Sequence, residues 1–391
     1  MPNWDLAAEV RARREAGLYR RTRAIRFQGA WAELEGRRLR VFCSNDYLGL
    51  AAEPRVVQAF QRAAAEHGVG SSGAHLITGH RAEHDALEEE LADFLGRSRV
   101  LLFSTGYMAN MGLIDALVKP GDAVYQDWLN HASLYDGSRL SGAKVYRYPH
   151  ADVAALTALL AQGEFRRRLI VSDGLFSMDG DVGPLAALAQ LAREHGAWLM
   201  VDDAHGLGVI GPGGRGSVAA AGLAQHDVPV LVGTLGKAFG CFGAFVAGSD
   251  ELIDWCIQKA RTYIYTTAPP PAVCAATRQA LRLVREEEWR RERLSLLVAR
   301  FRAGAEQLGL SLMPSESPIQ PLLVGDASAA LVLSRGLEED GFLVTAIRPP
   351  TVPPGTARLR VTLTALHEPE DVDALLEALA RRWRQLPEAV Q

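Results

Sequence analysis

The chain predicts an α/β fold: a mostly parallel sheet of seven strands covered by helices on both faces, with a smaller α+β domain at the C-terminal end. Three observations carry this reading. Between about residues 54 and 280, short apolar runs alternate with segments of helical periodicity. Those runs have no polar face, as expected of strands buried on both sides. The 391 residues exceed one simple core and suit a large domain plus a smaller one. The expected division is an N-terminal segment 1–45, a large domain 46–285 and a small domain 286–391.

Residues 5–24, rich in Arg, Ala and Glu, predict an amphipathic helix, and residues 38–44 a short strand running into the turn at Ser44-Asn45-Asp46-Tyr47. The seven strands are expected at Arg99–Phe103, Ala123–Gln126, Lys144–Tyr148, Arg168–Ser172, Ala197–Val201, Val228–Val232 and Ala244–Ala247, with helices such as Glu83–Leu95 and Leu185–His195 between them. Residues 281–310 predict one long charged helix, solvated and connecting. Beyond it come strands at Ile319–Val324, Phe342–Ile347 and Arg358–Thr362, and helices at Ser328–Glu339 and Glu370–Gln385. The proline-rich stretch Arg348–Gly355 is too stiff for a tail and predicts a shaped loop between two strands.

Composition narrows the class. Apolar residues make up 48% and charged residues 23%, as in an ordinary globular enzyme. A net charge of -4 supplies no field to attract nucleic acid or an anionic membrane. No run approaches the roughly 20 apolar residues that span a bilayer. The first residues lack the basic-then-apolar order of a signal peptide, so the expected compartment is the cytoplasm. Cys43, Cys241, Cys256 and Cys274 form no CxxC and no metal-ligand spacing, and are expected to pack as small hydrophobes. Cys241 is set apart only by lying four residues after Lys237. No metal site is expected: the acids of Asp173–Asp181 lack the ligand order of a calcium loop and read as turn and cap residues.

The chemistry gathers where predicted strands end, which is where ligands bind in such sheets. Thr234-Leu-Gly-Lys237 puts a lysine among small residues, able to shed its proton and attack a carbonyl. Thirty-five residues upstream, Asp202 ends a strand and His205 follows. A lysine for an aldehyde and an acid for a pyridine nitrogen point to pyridoxal 5'-phosphate (PLP). His205 is placed to reach the ring's phenolic oxygen, and Asp203 reads as a plain cap. Phe103-Ser-Thr-Gly106-Tyr107 joins a strand to a helix, a cup for a phosphate on free N–H groups. His131, just past another strand, is suited to stack on the ring or bond substrate, and Ser177 to bond the cofactor. Gly211–Gly216 is glycine-rich, but no strand–turn–helix frames it, so a dinucleotide reading is weak, and no Walker A loop is present.

Thr234-Leu-Gly-Lys237, Val201-Asp-Asp-Ala-His205-Gly-Leu-Gly, Ser44-Asn-Asp-Tyr47-Leu-Gly-Leu and Ser177-Met-Asp-Gly-Asp resemble the α-oxoamine synthases, PLP enzymes of the aspartate-aminotransferase fold (fold type I), over essentially the whole chain. The resemblance implies the condensation of an amino acid with an acyl thioester, releasing carbon dioxide. Gly70-Ser-Ser-Gly-Ala-His75, with histidine where many relatives carry arginine, and Thr345–Ala365 resemble the branch that takes L-alanine and a pimeloyl thioester, on CoA or a carrier protein. Gly70-Ser71-Ser72-Gly73 departs mildly from the family's glycine-serine-glycine. Carried over, the resemblance implies Lys237 as the PLP lysine and general base and Asp202 on the ring nitrogen. His205 and Ser177 would stand at the ring oxygen, with Gly106, Tyr107 and Thr234 at the phosphate. His131 would lie on the ring and substrate. Asn45 and Arg360 would hold substrate, Arg360 taking the amino-acid carboxylate, and Arg20 and Thr351 would also contact it. Thr266 and Thr267 would reach the other subunit's cofactor in a homodimer. The rivals are siblings that take glycine with acetyl-CoA or another acyl-CoA, a transaminase or lyase of this fold, and a non-catalytic binding protein. The last of these is expected to lack the lysine or to carry a basic extension.

Overall fold

The structure, a computed structural model, describes residues 4–15 and 18–386. Its centre is a seven-stranded sheet of Arg99–Phe103, Ala123–Asp127, Lys144–Tyr148, Arg168–Asp173, Trp198–Asp202, Val230–Thr234 and Ala244–Gly248. Taken across the sheet by first residue, the order is 99, 244, 230, 198, 168, 123, 144. Only Ala244–Gly248 runs antiparallel to its neighbours. The expected strands are all present, with ends shifted by at most two residues.

The apolar strands build two cores at once. Side chains alternate across a strand, so Tyr125, Leu199 and Val201 join one apolar cluster while Val124, Met200 and Val232 join the other. Each fully buried Val, Leu or Ile contributes about 1.5–3 kcal/mol, which is why these strands tolerate no polar face. The helices that follow the parallel strands put their βα turns at one edge, the carboxyl ends of those strands, while the antiparallel Ala244–Gly248 turns into its helix at the other edge.

Three expectations need correction. The helix expected over 5–24 spans Leu6–Glu15, with none of its residues buried, and residues 18–24 are irregular. Strands Ile25–Gln28 and Trp31–Leu34, not expected, form a hairpin with Arg37–Val41. The first strand, Ile25-Arg-Phe-Gln28, is exposed throughout, and four residues of alternation are too short a run to read. The expected strand Phe342–Ile347 divides: Phe342–Leu343 pairs parallel with Arg40–Val41, while Thr345–Ile347 pairs antiparallel with Ala357–Thr362. Val344, buried at the break, ties the two small sheets together.

The long charged segment is two helices, Pro271–Glu286 and Trp289–Gln307, and it is not a solvated connector. Leu294, Leu297, Val298 and Phe301 are buried, and so are Arg290 and Arg291. Arg290 pairs with Glu53 and Glu287 and donates to the Leu48 carbonyl at 2.9 Å, bracing the Ser44–Leu50 turn. Charge density in the sequence concealed this, because each buried arginine carries its own carboxylates. No helix among the described residues is long and apolar enough to cross a membrane.

Candidate active site

Lys237 sits in a tight turn after Val230–Thr234, closed by Gly240 N–H to the Lys237 carbonyl (2.8 Å) and Cys241 N–H to Leu235 (2.8 Å). Gly240 has φ 65°, and a Cβ there would meet Ala51 N at 2.3 Å, so only glycine fits. Burial pushes the Lys237 ammonium down to about 8, against the opposing pull of Asp202 and Asp173. At neutral pH about a tenth of it is then free amine, against well under a thousandth for an ordinary lysine. Cys241 does not modulate it as a thiolate, since burial pushes its thiol up to about 11.

Asp202 is buried at its strand end and accepts from Asn110 Nδ2 at 2.6 Å and Ala204 N–H at 3.0 Å. The same Asn110 amide donates to Ser133 (2.9 Å), while its Oδ1 is buried without a partner. Asp173 stands beside Asp202 on the neighbouring strand. It accepts from His131 N–H at 2.8 Å, and burial, with the charge of Asp202, raises its carboxyl well above the usual range. Asp203 is no cap. It is fully buried, accepts from Ser217 N–H at 2.6 Å, and is pushed up to about 7 by burial. Gly174, Gly206 and Gly216 make room for it, since a Cβ on any of them would meet Asp203 within 2.6 Å. The acids of the Ser177 loop are not plain turn residues either: Asp179 pairs with buried Arg358 (2.7 Å) and Asp181 with His150 (2.8 Å).

His205 is buried, and desolvation, helped by the charge of Lys237, holds it neutral. Its Nδ1 lies 2.6 Å from the Tyr47 hydroxyl. Arg360 donates from Nε to the Ser177 carbonyl (2.6 Å) and from both terminal nitrogens to Asn45 Oδ1 (3.3 Å). Thus Ser177, Asn45, Arg360, Tyr47 and His205 form one connected network. His131 caps the helix Ala132–Ser141, bonds Ser133 Oγ (2.7 Å), faces the edge of Tyr107 and is kept neutral mainly by desolvation.

At the start of the helix Gly106–Leu117, Thr105 Oγ1 accepts from Met108 N–H and the Thr105 carbonyl from Ala109 N–H. The N–H groups of Gly106 and Tyr107 have no acceptor among the described residues. Thr234 ends its strand with its hydroxyl donating to the Gly243 carbonyl (3.1 Å). Arg20 and Thr351 line one small cavity of about 120 Å³ with Arg348 and Pro350, separate from the residues around Lys237. Thr266 and Thr267 are not joined to the Lys237 cluster: Thr267 bridges Ala74, and Tyr265 beside them is 71% exposed. His75 is also apart, stacked on Tyr263 and bonded to His80.

Asn110 and Tyr47 are the residues of this cluster that sequence reasoning gave no role, and Asp173 was read only as a turn or cap acid. Asn110 had one signal, an amide one turn into a helix whose only other buried polar side chain is Asp115.

A family model described as aminotransferase class I and II matches residues 38–379. An 8-amino-7-oxononanoate synthase from Alkalilimnicola ehrlichii is 62% identical over 96% of this chain and 97% of its own. A serine palmitoyltransferase from S. paucimobilis, solved with PLP bound in an adduct with myriocin, superposes with TM-score 0.92 at 30% identity, covering 97% of both chains. This chain belongs to the α-oxoamine synthases of the class I and II aminotransferase family. A Francisella tularensis 8-amino-7-oxononanoate synthase matches this α-oxoamine synthase with TM-score 0.79 at 30% identity, over 89% of this chain and 98% of its own.

The cofactor of this α-oxoamine synthase is PLP, and the residues present fit it. Two uncommitted N–H groups at a helix N-terminus suit its phosphate, a buried carboxylate held by an amide suits its ring nitrogen, and a lysine with a lowered pKa suits its aldehyde.

Proposed function

We propose that this chain joins L-alanine to a pimeloyl thioester, giving 8-amino-7-oxononanoate, carbon dioxide and free thiol in biotin biosynthesis, with pimeloyl-CoA or pimeloyl carrier protein as the acyl donor. The observation that carries this is the 62% identity over 96% of the chain to a relative of that name. The enzyme is a PLP-dependent acyltransferase.

PLP, when bound, supplies a carbonyl for the amino group and a sink for the electrons left at the α-carbon. The protein's part follows from its own groups. The lowered pKa of Lys237 gives it free amine for the cofactor's aldehyde and, once displaced, a base for the α-proton of alanine. Asp202, oriented by Asn110 and the Ala204 N–H, offers its charge to the ring nitrogen and keeps it protonated. Gly106 and Tyr107 offer N–H groups to the phosphate, with Thr234 beside them. His131 is open to the cleft, placed to lie on the ring and touch substrate, and Ser177 stands with His205 at the ring oxygen. Arg360 and Asn45 hold the alanine carboxylate, a pairing that guanidinium geometry favours. Arg20 and Thr351, which line their own small cavity, contact substrate.

The active unit is a homodimer in which Thr266 and Thr267 complete the other subunit's site. The exposure of the neighbouring Tyr265 supports this, and sedimentation in solution tests it. The reaction is tested by supplying L-alanine and pimeloyl-CoA and following thiol release. Turnover with glycine and acetyl-CoA in place of these substrates would sink the assignment in favour of a sibling enzyme.

A further inference from the structure

The turn after Val41 carries a tyrosine that the mechanism above does not use. Tyr47 is fully buried, and a phenol removed from water needs a partner inside the protein. Its oxygen has two neighbours, His205 Nδ1 at 2.6 Å and Asn45 Oδ1 at 3.3 Å. Asn45 Oδ1 is the atom that accepts from both terminal nitrogens of Arg360. The phenol has one proton and two acceptors. Donated to Nδ1, it leaves the imidazole's own proton on Nε2, which then donates. Donated to Asn45, it obliges the phenol oxygen to take Nδ1–H, and Nε2 then accepts. Nε2 has no protein partner among the described residues and is the nitrogen left to meet the cofactor.

We propose that Tyr47 is a positioning residue that couples the Asn45–Arg360 pair to the tautomer of His205, so that a carboxylate arriving at Arg360 changes how His205 meets the cofactor's phenolic oxygen. This rests on the reading that places Arg360 at the substrate carboxylate and His205 at that oxygen. The surroundings favour a switch of tautomer over a switch of charge. Lys237 and His131, just past two strand ends, face His205, as does Arg360 from within the strand Ala357–Thr362, and the charges of Lys237 and Arg360 join desolvation in keeping the imidazole neutral. Burial raises the Tyr47 hydroxyl as well, so the phenol keeps its proton. The relay gives the enzyme a means of sensing a bound amino acid at the atom that governs how readily the cofactor releases Lys237.

The test uses the PLP-loaded enzyme. Its visible absorbance band is titrated with pH, without and with saturating propionate, a carboxylate that lacks the reacting amine. The wild-type midpoint is expected to move by about one pH unit. Tyr47→Phe, which removes a single oxygen, is expected to bind propionate nearly as well and to lose about half of that movement or more, the remainder being the through-space effect of the anion. A wild-type midpoint that propionate leaves in place overturns the proposal, as does a Tyr47→Phe midpoint that moves as far as the wild type's. His205→Gln separates the two layers. An unchanged band in that variant removes His205 from the cofactor, and the relay with it. A changed band together with a fully responsive Tyr47→Phe removes the relay alone.

Discussion

The two ends of the central sheet are of opposite character. At the amino ends of the strands lies a cavity of about 420 Å³, lined by Arg166, Arg167, Arg168, Trp198 and Trp255. Its polar groups are largely engaged. Arg166 forks onto Asp122 (3.0 and 2.9 Å), Arg167 donates to the Leu117 carbonyl (2.8 Å) and Trp255 to that of Ala116 (2.8 Å). At the carboxyl ends, Asp173, Asp203, Lys237, His131 and His205 all have pKa values displaced by burial. Two helix N–H groups and one Asn110 oxygen there lack partners. The site is where a lysine, two carboxyls and two imidazoles gather with their pKa values displaced by burial.

The sharpest way to break this comparison is at Lys237. Lys237→Ala is expected to lower turnover by at least about a thousandfold and to remove the visible absorbance of the PLP-loaded protein; normal turnover in that variant refutes the assignment. A related measurement needs no variant. Uptake of PLP by the cofactor-free protein requires the free amine, so its rate is expected to rise with pH and level off above about 8. A rise continuing beyond pH 10 contradicts the burial argument.

Asn110→Leu keeps the volume but takes a buried donor from Asp202. It is expected to lower kcat by about 10- to 100-fold while PLP remains bound, and a kcat within twofold of wild type shows that Asp202 needs no such support. At the rim of the site, His150 lies 3.1 Å from Asp127 and 2.8 Å from Asp181, joining two strand-end loops. Burial opposes its charge, but hydrogen bonds to the two carboxylates prevail and raise it to about 10. A pKa raised on folding stabilises the native state fully below the unfolded value near 6.5 and is lost as pH climbs through 10. The contribution is on the order of 2 kcal/mol, given partial exposure. Urea melts from pH 6 to 10 are expected to fall more steeply for wild type than for His150→Gln; parallel curves refute the pairing. The smallest effect is expected at the amino-end cavity, where Arg167→Ala changes kcat/KM by less than about twofold. A large loss there returns that cavity to consideration as a working site.

Legibility followed the range of the interactions. Six of the seven strands of the central sheet bury both faces, so their apolar runs were visible, and the edge strand Lys144–Tyr148 is only partly buried. The hairpin at 25–34 was not visible, because Ile25–Gln28 is exposed and held by backbone pairing alone. Arg290 and Arg291 read as solvated because their i,i+3 acids Glu287 and Glu288 suit an exposed helix equally well, and nothing local announces Glu53, 237 residues from Arg290. Among the site residues, those at strand ends were legible by position. Asn110 and Tyr47 act through partners 92 and 158 residues away and were not assigned roles.

By itself, the sequence determined the strand–helix alternation, the placing of Lys237, Asp202, His205 and His131 just past strand ends, and a chemistry of lysine and carboxylate. Period, chain direction and side-chain type are local properties, and those conclusions need nothing more. Only the tertiary structure decided that Asp203 is a buried acid among three glycines, that Asn110 holds Asp202, and that Arg360, Asn45, Tyr47 and His205 form one network. Those facts depend on which distant atoms desolvate a group and which remain to bond it, and both are set when the sheet, its helices and the C-terminal strands pack together.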